Sequence, residues 1–435
     1  MTEQRPNDKD FRRGTCTNAV GARHLPWLSQ VCTAVTESSV FPSSEITVET
    51  TESPIDVAGG IPDPTQLAYM ELDDAVSRVL SDTSSAFPSL SYGDPRGERS
   101  LREWIARFRG VHVDSVIVTN GAMEAIFLSA VATINPGDTI LVEDRSFPQA
   151  IRIFSRLGAH VQPVRLTDQG IDTQELQRLL ARQHTDGTTV KAIYTIPNFQ
   201  NPTGVSATAA VKQHLLDLAQ QYGIAVIADD PYHDLWFSQP PAEFPDGCRG
   251  ITDSPLLEIG SFSKWLGPGL RVGWLIADPA VIQKVSGYRL GVDGGPATLT
   301  QYALSRLLRG TWGQQRLACE RRYYAEKATA LTASLHEQLG DDISFSQPQG
   351  GYFLWARMPE WFHSQSTEAR LALAQQNINP VWGDAFAVSG DSGTSLSARD
   401  AGRYLRLSFA HASGDDLLQV AGRLRAALDA AKPNV

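Results

Sequence analysis

Seven short runs of apolar and β-branched residues follow one another from Ser115 onward, separated by stretches in which apolar residues recur at helical spacing. The runs are SVIVT, TILVED, HVQPVRL, VKAIYTIP, IAVIADD, LLEIGSFS and VGWLIAD. This alternation predicts an α/β domain with a mostly parallel seven-stranded sheet flanked by helices on both faces. Ligands bind such sheets at the carboxyl ends of the strands, so polar residues just after each run are candidates for chemistry.

The rhythm changes beyond about Pro296, where a long helical stretch, ERRYYAEKATALTASLHEQL, precedes the strand-like segments ISFSQPQGGYFLWARM and YLRLSFAHA. This pattern predicts a smaller α+β domain. We expect four segments: an N-terminal arm of uncertain order over 1–52, a segment over 53–87 that packs with the small domain, a large ligand-binding domain over 88–300, and the small domain over 301–435.

The composition of the chain limits the kinds of molecule that it is expected to bind. The chain of 435 residues has a formal net charge of -10, which opposes binding to nucleic acid or to acidic membrane surfaces and favours small molecules. Four cysteines without a CxxC pair predict neither a zinc knuckle nor a disulfide framework, and we predict no metal site. The start of the chain lacks the apolar core of a signal peptide, so a cytoplasmic location is expected.

The segment SFSKWLGPGLRVG follows one predicted strand and places Ser261, Ser263, Lys264 and Arg271 on a short loop rich in Gly and Pro. Two hydroxyls and a guanidinium suit a phosphate monoester. Lys264 is one of seven lysines against 31 arginines, and its apolar neighbours would lower the pKa of its amine toward nucleophilicity. A solvated surface lysine is the alternative for an isolated Lys, and this context favours function.

Two further strand ends carry polar groups. Asp229 ends the run IAVIADD with Tyr232 three residues later, and a buried carboxylate there needs a cationic partner such as a protonated pyridine nitrogen. Capping of the next helix is an equally good explanation of the acid alone. Asn201 lies in the turn of YTIPNFQNPTG, where its amide could donate to a phenolate oxygen or simply form the turn.

Weaker signals come from three other places. After SVIVT, the turn through Gly121, Ala122 and Met123 leads into a helix whose first N–H groups could bind an anion. Phe147 follows TILVED and could stack on an aromatic ring or belong to the core. Arg406 lies within the apolar strand YLRLSFA, where it needs a carboxylate, either of a substrate or of an internal salt bridge.

Eight segments occur together in this order from about Ile55 to the C-terminus: AGGIPDP, YGDPRGERSLR, NGAMEA, PNFQNPTG, DDPYHDL, SFSKWLGPGLRVG, QGGYFLW and LRLSFA. Together they resemble the PLP-dependent fold-type I, class I/II aminotransferases of the aspartate aminotransferase superfamily. The segments AGGIPDP, FQNPTG and DDPY are most similar to the branch that contains aminoadipate and kynurenine aminotransferases and the MocR-like regulators.

The resemblance implies pyridoxal 5′-phosphate (PLP) as cofactor and a homodimer with shared active sites. Lys264 would carry PLP as a Schiff base and move the substrate's α-proton, Asp229 would pair with the pyridine nitrogen, and Tyr232 and Asn201 would bind the phenolic oxygen. The remaining cofactor-binding positions implied by the family are Gly121, Ala122, Met123, Phe147, Ser261, Ser263, Arg271 and, from the neighbouring subunit, Tyr92. The substrate-binding positions so implied are Gly60, Asn201 and Arg406.

The chain also departs from the family. Ala122 and Met123 stand where relatives usually place a hydroxyl or amide, and Trp382 replaces the proline of a PGxxF motif near the substrate side. Transamination of an L-amino acid with a 2-oxo acid is the expected reaction. A PLP-dependent lyase or cyclase, acting for instance on a hydroxylated arginine, is the alternative, and a MocR-like sensor is a third reading that would require a DNA-binding domain of ordinary size before the fold.

Overall fold

The structure is a computed structural model that describes residues 53–186, 189–245, 249–389 and 398–433, so the predicted arm over 1–52 lies outside the described residues. The strands are β1 (Ile55–Asp56), β2 (Val116–Thr119), β3 (Thr139–Glu143), β4 (His160–Val164), β5 (Leu166–Thr167), β6 (Gly170–Ile171), β7 (Val190–Thr195), β8 (Ala225–Asp229), β9 (Leu256–Ser261), β10 (Gly273–Ile276), β11 (Ser344–Phe345), β12 (Phe353–Arg357), β13 (Ile378–Asn379), β14 (Val381–Trp382) and β15 (Tyr404–Ser408).

The helices alternate with the strands of the first half and dominate the second half. They are α1 (Tyr69–Ser81), α2 (Thr83–Ser89), α3 (Arg99–Arg109), α4 (Ala122–Thr133), α5 (Pro148–Arg156), α6 (Thr173–Asp186), α7 (Ala209–Tyr222), α8 (Pro279–Leu290), α9 (Thr298–Leu307), α10 (Trp312–Leu339), α11 (Thr367–Gln375), α12 (Ala398–Ala401) and α13 (Gly414–Ala431). No helix in the described ranges is long and apolar enough to cross a membrane.

A seven-stranded sheet forms the centre of the large domain, in the order β2-β10-β9-β8-β7-β3-β4. All seven predicted runs lie in it, and every pair is parallel except those of β10, which runs antiparallel to β2 and β9. Every residue of β2, β3, β9 and β10 is buried, as expected for strands covered on both faces. The prediction of a mostly parallel seven-stranded sheet flanked by helices is therefore confirmed.

Local sequence signals fix the ends of the crossover helices. The hydroxyl of Thr208 accepts a hydrogen bond from the Val211 amide at the start of α7, and Gly223 ends the same helix with φ 63°. Helix α4 is apolar on nearly all sides because it packs between the sheet and helices α5 and α8. The loops at the carboxyl ends of the strands are thereby held at defined positions.

The small domain is built on an antiparallel sheet of order β11-β12-β15-β14, against which α10, α11 and α13 form a helical layer. Strand β1 pairs in parallel with β13, and the Ser408 amide donates to the carbonyl of Val57 at 2.7 Å. Residues 55–57 thus lie beside the small domain, while α1 packs on α9. The boundaries of the four predicted segments stay a prediction.

One buried apolar cluster continues from the large domain into the small one. It includes Trp265 and Trp274 near the carboxyl end of the central sheet and Tyr324, Leu354 and Leu405 from the small domain. Because the two domains share this core, elements of both lie next to the strand ends where the candidate residues were predicted. The candidate site therefore lies beside a core to which both domains contribute.

Candidate active site

The carboxyl ends of β7, β8 and β9 open into one cavity. Ten of the predicted site residues line it, together with Ile126, Ile196, Pro231 and Pro268. The ten are Ala122, Met123, Phe147, Asn201, Asp229, Tyr232, Ser261, Ser263, Lys264 and Arg271. The structure thus brings together side chains from five separate loops, as expected for strand ends that meet at one edge of a parallel sheet.

Lys264 follows β9 by three residues and points its amine into the cavity. Its Nζ donates to the carbonyl oxygen of Gly60 at 2.8 Å and lies 5.3 Å from the ring centroid of Tyr232. Burial lowers the pKa of the amine to about 8, although Asp229 opposes this effect. Lys264 therefore loses its proton more readily near neutral pH than an ordinary lysine does, and its neutral form can accept a proton or attack a carbonyl carbon.

Asp229 ends β8 and is almost completely buried. One carboxylate oxygen, Oδ2, accepts a hydrogen bond from the hydroxyl of Tyr194 at 2.7 Å. The other, Oδ1, is buried and has no hydrogen-bond partner among the described residues. Burial and the neighbouring Asp230 raise the pKa of Asp229 to about 7, while Tyr194 and Lys264 lower it. An unpartnered buried oxygen of this kind calls for a cationic N–H donor from a ligand.

Sequence reasoning missed Tyr194. It lies in β7 opposite Ile227 of β8, two positions before Asp229, and both its ring and its hydroxyl are fully buried. The available signal was a phenol in the otherwise mostly apolar run VKAIYT. A tyrosine in a buried strand is usually a packing residue, so the sequence alone did not distinguish the two uses.

Hydroxyl and guanidinium groups gather at the other end of the cavity. The Ser261 hydroxyl donates to that of Ser263 at 2.9 Å, and it accepts from the Ser263 amide at 3.1 Å. Arg271 reaches across to the start of α4, where its Nη2 donates to the carbonyl of Asn120 at 2.8 Å. Together with the free N–H groups of a helix start, these donors form a site for a multiply charged anion.

The turn before α4 differs in one detail from the expectation. The Gly121 amide donates to the carbonyl of Thr119 at 2.8 Å, so it is already used within the turn. Gly121 has φ 75° and makes no side-chain cap, and a Cβ atom there would lie 2.7 Å from Nη2 of Arg271. Gly121 therefore supplies a backbone conformation with positive φ and leaves space for the guanidinium of Arg271.

Arg406 is 1% exposed and lies in β15, next to the cavity-lining residue Asn201. Its Nη1 donates to the amide oxygen of Asn201 at 2.7 Å, and its Nη2 donates to the carbonyl of Ala58. The guanidinium stacks 4.1 Å from the ring centroid of Phe353 and 4.8 Å from that of Phe386. Burial lowers its pKa to about 9. The planar guanidinium group can bind a carboxylate through two parallel N–H donors.

Gly60 contacts the cavity-lining residue Lys264 through its carbonyl oxygen. A Cβ atom on this residue would lie 2.9 Å from Cζ of Phe353, so a side chain would displace the segment. The segment is anchored three residues later, where the carboxylate of Asp63 accepts from Nζ of Lys327 and from the hydroxyl of Tyr323, both at 2.7 Å. These contacts hold the Gly60 carbonyl over the amine.

Tyr92 stands apart from the other predicted residues. Its side chain is fully exposed in the single chain and does not line the cavity. The segment that carries it, residues 89–91, is tied to the start of α9 because the Thr298 hydroxyl donates to the carbonyls of Ser89 at 2.8 Å and Ser91 at 3.1 Å. Tyr92 therefore projects from an ordered surface.

Comparison with known proteins agrees with this geometry. The sequence model of the family described as aminotransferase class I and II matches residues 64–424. The chain belongs to this family. The 2-aminoadipate transaminase of Thermus thermophilus is 29% identical to this chain over 374 residues. The match covers 85% of this chain and 89% of the transaminase.

Solved aminotransferase structures superpose closely. Kynurenine aminotransferase from Pyrococcus horikoshii, solved in complex with PMP, matches with a TM-score of 0.77 and 26% identity over 87% of this chain and 91% of its own. A multiple substrate aminotransferase from Thermococcus profundus matches with a TM-score of 0.82 and 25% identity over 93% of this chain and 98% of its own. The protein is accordingly a PLP-dependent aminotransferase of fold type I.

The atoms of this aminotransferase fit PLP. The orphaned Oδ1 of Asp229 matches a protonated pyridine nitrogen, the amine of Lys264 matches an aldehyde, and the donors around Arg271 match a phosphate. Bound PLP supplies an electrophilic carbon for amines and an aromatic ring that withdraws electrons from the adjacent carbon atom. All three ends of the cofactor thus find complementary groups within one cavity.

Proposed function

We propose that this aminotransferase uses Lys264 as the base that removes and returns the α-proton of an L-amino acid, with Asp229 as the anionic partner of the cofactor ring. The observation that carries the proposal is the presence of the Lys264 amine and an unpartnered buried carboxylate oxygen of Asp229 in one cavity. An amine with a pKa of about 8 both accepts and releases protons near neutral pH.

Arg406 and Asn201 are proposed to orient the substrate. The carboxylate of the amino acid would bind the Arg406 guanidinium, which is preorganised by Phe353, Phe386 and the Asn201 amide oxygen. The Nδ2 group of Asn201 then remains to donate to the phenolic oxygen of the cofactor, next to the Tyr232 hydroxyl. Both substrates of a transaminase carry a carboxylate beside the reacting carbon, so one arginine serves donor and acceptor alike.

The donor is proposed to be a long or aromatic L-amino acid and the acceptor a 2-oxo acid. Support comes from relatives named for 2-aminoadipate, for aromatic amino acids and for kynurenine. The aromatic side chains of Phe353 and Phe386 beside Arg406 are compatible with such side chains.

The active unit is proposed to be a homodimer in which Tyr92 completes the cofactor site of the partner. Large apolar side chains are exposed on two segments around Tyr92: Phe87, Leu90, Tyr288, Leu290 and Val292. The two segments touch, because Arg289 at the end of α8 donates to the carbonyl of Pro95 at 3.3 Å. Exposed apolar surface around Tyr92, which does not line the cavity of its own chain, supports a second copy as the partner.

A product assay tests the reaction. Purified protein with PLP would be incubated with 2-aminoadipate, kynurenine or tyrosine, with and without 2-oxoglutarate, and the products identified by mass spectrometry. We expect multiple turnovers to a new 2-oxo acid and glutamate only when the acceptor is present. Release of ammonia or water without an acceptor would contradict transamination and indicate a lyase or cyclase. The same assay on Lys264→Ala should show loss of turnover. Lys284→Ala, which replaces an exposed lysine, is the control variant.

A further inference from the structure

We propose that Tyr194 is a positioning residue that holds the Asp229 carboxylate in its charged form and in one orientation toward the cofactor. The inference rests on the proposed function, since it concerns the partner of the cofactor ring. Tyr194 does not line the cavity, so any effect on the reaction would pass through Asp229.

The hydrogen bond from Tyr194 gives the two carboxylate oxygens of Asp229 different roles. The Tyr194 hydroxyl donates to Oδ2 at 2.7 Å, whereas Oδ1 has no partner among the described residues. With Oδ2 held, rotation of the carboxylate would break a buried hydrogen bond, so Oδ1 stays available to the cavity. Without the hydroxyl, neither oxygen of this buried carboxylate would have a hydrogen-bond donor among the described residues.

The phenol is itself held in place by packing. Its ring meets that of Phe154 edge to face, with centroids 5.2 Å apart, and both side chains are 0% exposed. Its position in β7 is set by the parallel pairing with β8, which ends at Asp229. The Tyr194 hydroxyl therefore cannot rotate to hydrogen-bond with water. Among the described residues its only hydrogen bond is the one to Asp229.

Charges around Asp229 show why a fixed donor matters. Burial is the strongest influence against the charged carboxylate of Asp229. The next residue in the chain, Asp230, disfavours it as well. Lys264 from the loop after β9 and Tyr194 from β7 favour it, while Tyr232 lies near as an uncharged phenol. Lys264 exchanges protons during turnover, so its charge varies. The O–H of Tyr194 stays a donor because burial and the nearby Asp229 keep its pKa well above the usual value.

The test compares Tyr194→Phe with Thr195→Val. Thr195 is the next residue of β7, and its buried hydroxyl donates to the carboxylate of Glu143, away from Asp229. The control therefore loses a similar buried hydrogen bond in the same strand. The probe is PLP labelled with ¹⁵N in the ring, whose chemical shift in the full-length holoenzyme reports ring protonation across a pH series. The dissociation constant of PLP and the thermal midpoint are measured alongside.

We expect Tyr194→Phe to move the ring-nitrogen signal toward the unprotonated position at neutral pH and to weaken PLP binding about tenfold, the effect of losing one hydrogen bond to a charged group. Thr195→Val should keep the wild-type shift. An unchanged ¹⁵N shift in Tyr194→Phe, or equal changes in both variants, would overturn the inference. PLP binding by the wild-type protein separates the two failures. If the wild type binds PLP, only the inference about Tyr194 fails. If it binds no PLP, the proposed function fails too.

Discussion

The amine of Lys264 donates to the carbonyl oxygen of Gly60 at 2.8 Å across a separation of 204 residues. This contact joins the loop after β9 to the segment that follows β1, which pairs with the small domain. The segment is anchored by the buried ion pair between Asp63 and Lys327. Lys264, the proposed base, is thus held in position from both domains.

Removing the buried ion pair between Asp63 and Lys327 should lower the free energy of unfolding. Lys327→Met leaves Asp63 charged and buried without its cation, and removal of one partner of a buried pair costs about 3–5 kcal/mol of unfolding free energy. Urea denaturation would measure the loss. The double variant Asp63→Leu with Lys327→Met removes both charges and should recover part of it. A single variant as stable as the wild type would show that the pair does not anchor the segment.

Arg406→Lys should impair both half-reactions. Lysine keeps the charge but lacks the planar fork that binds a carboxylate, and it loses the stacking on Phe353. Arg406→Ala should cost about 2–5 kcal/mol in kcat/KM, as for other truncated buried charge partners. Steady-state kinetics with donor and acceptor varied in turn would show the loss for both. A loss confined to one substrate would contradict a shared carboxylate site.

Mixed dimers test whether Tyr92 acts across the interface. Lys264→Ala and Tyr92→Ala subunits should each have low activity alone. After mixing and exchange, a heterodimer has one intact site, built from the Lys264 of one subunit and the Tyr92 of the other. Random association of equal amounts would restore about a quarter of all sites. No recovery despite confirmed subunit exchange would place Tyr92 outside the partner's site.

His233 should make stability fall as the pH rises. Burial alone would lower its pKa, but Asp230 at 3.0 Å and Glu243 at 2.9 Å raise it from 6.5 to about 9. The charged imidazole therefore contributes its full stabilisation below pH 6.5, and this contribution is lost as the pH passes through about 9. Thermal melts of the wild type and of His233→Gln across this range should show a steeper decline for the wild type. Parallel curves would contradict the assignment.

The sequence predicted the sheet because strands buried on both faces must be apolar along their whole length, and such runs are easy to see. It also predicted most cavity residues, because they directly follow the predicted strands and lie in segments that resemble those of a known family. The contacts that set their chemistry were not predictable. Arg406 donates to Asn201, 205 residues away, and the donor to Asp229 is a phenol inside a strand. Both depend on tertiary register rather than on local pattern.

The most direct test of the account is to identify the residue that carries PLP. The holoenzyme would be reduced with borohydride and digested, and the phosphopyridoxyl group located by mass spectrometry of the peptides. The account predicts the label on Lys264 alone, and its absence, together with loss of turnover, in Lys264→Ala. Labelling of another lysine, or full turnover by Lys264→Ala, would contradict the central role of Lys264.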